Sequence, residues 1–181
     1  DNGGLSSSAG SPTCNAPLNE GKGWMYEGGT REPLMVKWPG NIEPGSICEE
    51  PVTSPDYYPT ILEMAGLESI PDQHQDGVSL IPLLKDEGEL EREAIFWHYP
   101  HYGNQGGTPG SSIRMGDYKL IEFFEDGHVE LYNLRDDIGE ECNLAEKKPE
   151  LVKEMKKRLA EWRQSVEAKV PETNPDFEPW Q

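Results

Sequence analysis

The 181-residue chain has no apolar run approaching the roughly 20 residues needed to span a bilayer, so no membrane helix is expected. Positive charge is scarce: 16 Lys and Arg stand against 34 Asp and Glu, for a formal charge of −18. That balance excludes nonspecific attachment to nucleic acid or to an anionic membrane, both of which reward basic surfaces. Any anion bound here must therefore meet a few placed cations. Cysteine is scarce too. Cys14, Cys48 and Cys142 lie far apart, with no CxxC pair and no histidine at zinc-ligand spacing, which excludes a zinc site or a disulfide scaffold. They are expected as buried free thiols, with one disulfide left open for an oxidising compartment. No signal peptide is visible. The opening "DNGGLSSS" reads as the interior of a protein, so any export signal would be encoded upstream of residue 1.

Glycine, serine, asparagine and proline dominate residues 1 to 30, which reads as a long loop. "PLMVKWPG", residues 33 to 40, is a short apolar run closed by Pro-Gly and predicts a buried strand. "TSPDYYPTILEMAGL" predicts a helix with Ser54 as N-cap, Pro55 at the first position, Gly66 as the stop, and Tyr58, Ile61, Leu62 and Met64 on its apolar face. With "VSLIPLL" following, this is the rhythm of an α/β layer. Near residue 90 the rhythm changes. "EAIFWHYP" predicts a strand, and "IRMGDYKLIEFFEDGHVELYNL" predicts strands at about 112 to 115, 117 to 124 and 128 to 133, joined by tight turns into an antiparallel meander. From Pro149 to Val166, Leu151, Met155, Leu159, Trp162 and Val166 recur at helical spacing. Eight of the sixteen basic residues lie between 147 and 169, but interspersed glutamates make this an ordinary solvated helix face. The tail "PETNPDFEPWQ" is expected to be extended. The expected organisation is an α/β piece over residues 1–90 and a small antiparallel sheet-plus-helix domain over 91–181.

Three places can carry chemistry. Asp1 and Asn2 in "DNGG" offer two hard oxygen ligands suited to Ca²⁺ or Mg²⁺, although Asp-Asn-Gly is also ordinary turn chemistry. Lys22, between two glycines, offers a point charge that a ligand can approach closely, with a surface lysine as the plain alternative. Glu27 and Arg31 are spaced to brace the glycine turn that follows. In "FWHYPHYGNQGG", His98 and His101 suit sugar or aryl contacts, or packing and turn roles. Arg114 suits charge recognition, or a structural ion pair.

"DNGG", "GKGWMYEGGTREPLMVKWPG", "SPDYYPTILEMAG", "DGVSLIPLL", "IRMGDYKLI" and "LYNLRDDIGEECNLA", in this order, resemble the C-terminal half of the formylglycine-dependent sulfatases, arylsulfatase-like enzymes of the alkaline phosphatase superfamily. The resemblance implies an alkaline-phosphatase-like α/β fragment followed by a small α+β domain with an antiparallel sheet and a C-terminal helix. It implies that Asp1 and Asn2 are ligands of a Ca²⁺ ion, and that Lys22 contacts the sulfate and stabilises the departing oxygen. It further implies an exported enzyme acting on sulfated carbohydrates or aryl sulfates, whose small C-terminal domain lines one side of the substrate pocket. The family's nucleophile is a formylglycine made within a Cys/Ser-x-Pro-x-Arg motif, and no such motif occurs in these 181 residues. The chain is therefore expected to be a fragment, inactive alone, with the N-terminal half of the catalytic domain as its partner. Two alternatives stay open: phosphate or phosphonate ester hydrolysis on the same scaffold, and a noncatalytic carbohydrate-binding module.

Overall fold

A computed structural model of the chain describes residues 3–6, 13–172 and 174. Two compact units emerge. One gathers the described residues up to Pro33 together with those from Ala94 onward, and the other is Leu34–Glu93. The division thus falls after Pro33 and after Glu93, so the segment before Pro33 groups with the later residues rather than with residues 34–93.

The first unit is organised by a four-stranded antiparallel sheet in the order β1 (Ile95–Tyr99), β2 (Gly110–Met115), β3 (Tyr118–Phe123), β4 (Val129–Asn133). The meander follows the predicted pattern, with strand ends within about two residues of those expected. Gly116 and Asp117 form the two-residue turn between Met115 and Tyr118, which are register partners. Alternation sorts the side chains onto two faces. On one, Ile113, Leu120 and Leu131 meet Met155 and Leu159 of α4 (Pro149–Ser165), all fully buried. Phe96 stacks flat on Trp162 with ring centroids 4.9 Å apart, and Arg163 and Lys156 reach Glu122 at 2.7 and 3.1 Å. On the other face, Ile121, Phe123 and Tyr132 pack with Met25, Tyr26 and Trp97. Met25 and Tyr26 thus pack on this face, and the segment that carries them ends in one helical turn, α1 (Glu27–Thr30), where a glycine turn was expected.

In the second unit, a 3-10 turn Ser54–Asp56 leads into α2 (Tyr57–Met64), and α3 (Ile81–Leu84) follows. The N-cap is Thr53 rather than Ser54. Thr53 and Asp56 form a reciprocal capping box that satisfies donors one residue earlier than the sequence suggested. Gly66 at φ +69° ends the helix as expected. Asp56 is fully buried. It accepts from the Thr53 and Val78 N–H groups at 2.7 and 3.0 Å and pairs with Arg92 at 2.8 Å.

Two expectations fail here. "PLMVKWPG" forms no strand and is not buried; Met35 is 90% exposed. A strand needs a neighbour for its backbone N–H and C=O groups, and among the described residues this stretch has none. The expected apolar face of α2 is open in part, with Ile61 62% and Tyr58 41% exposed while Leu62 and Met64 are half-buried, and it borders an apolar hollow lined by Leu34, Val36, Tyr57, Met64, Leu80 and Leu84. The three cysteines are free, as read, but exposed rather than buried. The C-terminal tail lies almost wholly outside the described residues.

Candidate active site

Asp1 and Asn2 lie outside the described residues, but the residues that follow them do not. Gly3 and Gly4 run against the loop that carries Lys22. The Lys22 N–H donates to the Gly4 carbonyl at 3.0 Å, and the Asn15 amide donates to the carbonyls of Gly4 and Glu20 at 2.9 Å each. A Cβ on Gly3 would stand 2.7 Å from the Gly28 carbonyl oxygen and 2.8 Å from a Glu32 carboxylate oxygen. Ser6 adds a hydrogen bond to Glu20 at 2.9 Å. Gly3 and Gly4 and the lysine some twenty residues on, linked in sequence only by spacing, thus share one patch of closely packed, hydrogen-bonded backbone. Lys22 itself is half-buried, and among the described residues its ammonium has no hydrogen-bond or ion-pair partner.

Beyond Lys22 the loop meets the segment between β1 and β2. Gly23, at φ +94°, lies where a Cβ would be 3.1 Å from the Gln105 side chain and 3.4 Å from the Gly106 carbonyl oxygen. A Cβ on Gly106 would strike the Trp24 indole at 2.6 Å, so only glycine admits this approach. The Gly-rich stretch 103–107 is therefore laid alongside the lysine loop. The Trp24 Nε1–H is buried there without a hydrogen-bond partner among the described residues.

Behind the lysine loop sits a buried charge cluster that sequence reasoning did not find. Glu27, 2% exposed, accepts from Lys119 Nζ at 2.8 Å. Lys119, fully buried, also reaches a Glu140 carboxylate oxygen at 3.2 Å and the Thr30 hydroxyl at 3.2 Å. The other Glu140 oxygen accepts the Glu27 backbone N–H at 2.7 Å. Arg31 and Arg114 stand 3.6 and 3.8 Å from Glu27, too far for a direct hydrogen bond. Burial pushes the Glu140 carboxyl up to about 7, against the pull of Lys119 and the Glu27 N–H and with the Glu27 charge adding to the rise. One signal for this cluster was legible. Lys119 shares a β3 face with buried Ile121, two residues on, and a lysine on an apolar face needs a partner.

The substrate candidates separate. His98 points to the α4 face, with Nδ1 2.7 Å from the Ser111 hydroxyl and Nε2 2.9 Å from the Lys169 carbonyl. Both ring nitrogens are engaged, on the sheet face opposite the lysine loop. Arg114 donates to the Gly116 carbonyl at 3.3 Å and contributes to the Glu27 cluster, which favours the structural ion pair over charge recognition. His101 is exposed, edge-on to Tyr99 with centroids 5.4 Å apart. Glu27 and Arg31 do brace the loop, but Lys119 and Glu140 are the nearer partners of Glu27.

Hard oxygen donors such as the Asp1 carboxylate and Asn2 carbonyl fit Ca²⁺ or Mg²⁺ by their chemistry. Among the described residues no cluster of three or more His, Cys, Asp or Glu could hold a metal.

A family model described as N-sulphoglucosamine sulphohydrolase, C-terminal, matches residues 20–165. The chain is similar to a sulfatase of Formosa agariphila, 40% identical over 177 residues that cover 90% of this chain and 31% of that protein. Among solved structures it is similar to Ps i-CgsB in complex with k-i-k-neocarrahexaose, with TM-score 0.69 and 27% identity, covering 82% of this chain and 32% of the other. It is also similar to BT4656 in complex with its substrate D-glucosamine-2-N,6-O-disulfate, with TM-score 0.54 and 31% identity, covering 64% and 24%. The chain thus spans about a third or less of the length of the proteins it matches.

Proposed function

We propose, for a chain that belongs to the sulfatase family, that it is the C-terminal part of a sulfuric ester hydrolase whose catalytic residue within these 181 residues is Lys22. The fold is the C-terminal part of the alkaline-phosphatase-like architecture of that family, closing in a four-stranded antiparallel sheet and a helix. Residues 1–90 are read as the end of the catalytic domain and 91–181 as its small subdomain. The single observation that supports the role of Lys22 is its half-buried position on backbone bonded to Gly4, in a segment that begins with Asp1 and Asn2.

In this reading Asp1 and Asn2 hold a Ca²⁺ ion, Mg²⁺ being the alternative, and the remaining ligands and the formylglycine nucleophile come from outside these residues. When bound, the ion supplies positive charge that holds the sulfate. Lys22 supplies the second positive charge. Its ammonium donates to a sulfate oxygen and, as the S–O bond breaks, to the oxygen that leaves, where negative charge develops. The acidic balance of the chain makes such a placed cation necessary, because the surface as a whole repels sulfate. The 103–107 loop beside Gly23 and the exposed His101 are proposed to meet the sugar or aryl group. His98, whose two ring nitrogens are engaged, and Arg114, which bonds the Gly116 carbonyl and stands beside Glu27, are assigned to holding the sheet. The reported complexes of Ps i-CgsB and BT4656 favour a sulfated carbohydrate. Export is proposed on the family resemblance; among the described residues no helix is long and apolar enough to cross a membrane.

The test is sulfate release by the full-length protein from sulfated sugars and aryl sulfates, with phosphate and phosphonate esters in parallel and with divalent metal removed and restored. Metal-dependent sulfate release is expected, and no release from residues 1–181 alone. Turnover of the phosphate or phosphonate esters only would replace the reading with phosphoryl transfer. Binding of sulfated sugar with no turnover of any ester would replace it with a binding module.

A further inference from the structure

We propose that Glu27, Lys119 and Glu140 form a lock that positions Lys22 for its role in ester cleavage; the inference deepens the reading of Lys22 given above. Three connections carry it. Lys119 grips both ends of α1, reaching the Glu27 carboxylate at 2.8 Å and the Thr30 hydroxyl at 3.2 Å, while Glu140 holds the first N–H of the same turn at 2.7 Å. That turn is pressed onto the lysine loop. A Cβ on Gly28 would fall on the carbonyl oxygens of Asn19 and Glu20, and one on Gly29 on those of Gly21 and Trp24, so α1 lies flush against the stretch that carries Lys22. The Gly28 N–H fastens the contact by donating to the Asn19 carbonyl at 2.8 Å. From Lys119 on β3 the path to the Lys22 backbone thus runs through α1 and its direct contacts with residues 19–24.

Stability alone does not account for the arrangement. Three ionisable groups, each no more than 4% exposed, lose hydration that their mutual attraction only partly returns, and apolar residues of the same volume commonly serve stability as well or better. What charged groups add is fixed geometry. A four-residue helix next to a lysine flanked by glycines has little intrinsic rigidity, and ion pairs reaching it from β3 and from the loop after β4 supply it. Glu27, Lys119 and Glu140 are positioning residues in this account, because they are buried behind the lysine loop and act through α1.

Two readouts test the lock in the full-length protein. With kcat referred to folded protein, Glu140→Ala is expected to lower kcat on a sulfate ester at least about tenfold, with KM changed less than about threefold, because a misplaced cation fails mainly on transition-state charge. Glu140→Gln keeps a carbonyl oxygen for the Glu27 N–H and is expected to retain at least about a third of wild-type kcat. The second readout involves no turnover. Acetylation of Lys22 by acetic anhydride, followed by mass spectrometry relative to Lys157, whose side chain is 75% exposed, is expected to rise in Glu140→Ala and to stay at the wild-type rate in Glu140→Gln. Wild-type kcat together with wild-type Lys22 acetylation in Glu140→Ala overturns the lock, and so does an equal loss of kcat in the Ala and Gln variants. If Glu140→Ala does not accumulate as folded protein, Glu140→Asp, one methylene too short to hold the N–H, takes its place with the same expected direction. Should wild-type protein hydrolyse no sulfate ester, the functional reading fails, and the acetylation comparison still decides the lock.

Discussion

Lys119→Met is the sharpest perturbation of the fold. The substitution conserves length and volume while removing the only charge buried between Glu27 and Glu140 among the described residues. At separations of 2.8 and 3.2 Å and an effective dielectric of about 20, the two attractions amount to roughly 5 to 6 kcal/mol each before the repulsion between the carboxylates and the lost hydration are subtracted. What survives that subtraction is better judged from buried pairs that lose one partner, where the loss is about 3 to 5 kcal/mol. The variant is expected to fall in that range at pH 8, above the Glu140 pKa of about 7, and to lose roughly half as much at pH 5, where Glu140 carries its proton. Urea unfolding followed by tryptophan fluorescence reads the effect, since Trp24, Trp97 and Trp162 belong to this unit. With a slope of about 2 kcal/mol per molar urea, the midpoint moves down by roughly 2 M at pH 8. A loss below about 1 kcal/mol at pH 8, or an equal loss at both pH values, would refute the description of the cluster as a buried lysine neutralising two carboxylates.

Glu140 itself makes stability depend on pH. Burial raises its folded pKa to about 7, above the unfolded value of 4.5, so between those pH values the native state holds a proton that the unfolded chain releases. Its contribution is fully present below about 4.5 and is lost as pH rises through 7, by an amount on the order of 3 kcal/mol. The wild-type Tm is expected to fall across that window relative to Glu140→Gln, and parallel Tm profiles would contradict it. Leu159→Ala, which empties a fully buried position between α4 and the sheet, is expected to cost about 2 to 5 kcal/mol by the same urea assay. A cost under 1 kcal/mol would mean that α4 is not docked as described.

The meander and α4 were legible in the sequence because their signals are local. The alternation in "YKLIEF", the glycine between Met115 and Asp117 and the apolar spacing from Leu151 to Trp162 each lie within one element. The failures are cases where a local pattern met a non-local requirement. "PLMVKWPG" has the composition of a strand, but pairing belongs to two strands, and the described residues offer no second one. Ile61 has the spacing of a core residue yet is 62% exposed, because periodicity names a face and not what covers it. Of the candidate site, the approach of Gly4 to Lys22 was implied only by family spacing. The Lys119 bridge from Glu27 to Glu140, joining residues 113 positions apart, has no short-range signature beyond a lysine on an apolar strand face.

In the proposed function, Lys22 supplies positive charge to the sulfate ester as it breaks. Lys22→Ala in the full-length protein tests it most directly, with kcat and KM measured on a sulfated sugar and metal content checked in the same preparation. A fall in kcat of about 10²- to 10³-fold is expected in protein that still folds and still binds its metal. A kcat within about threefold of wild type would contradict it.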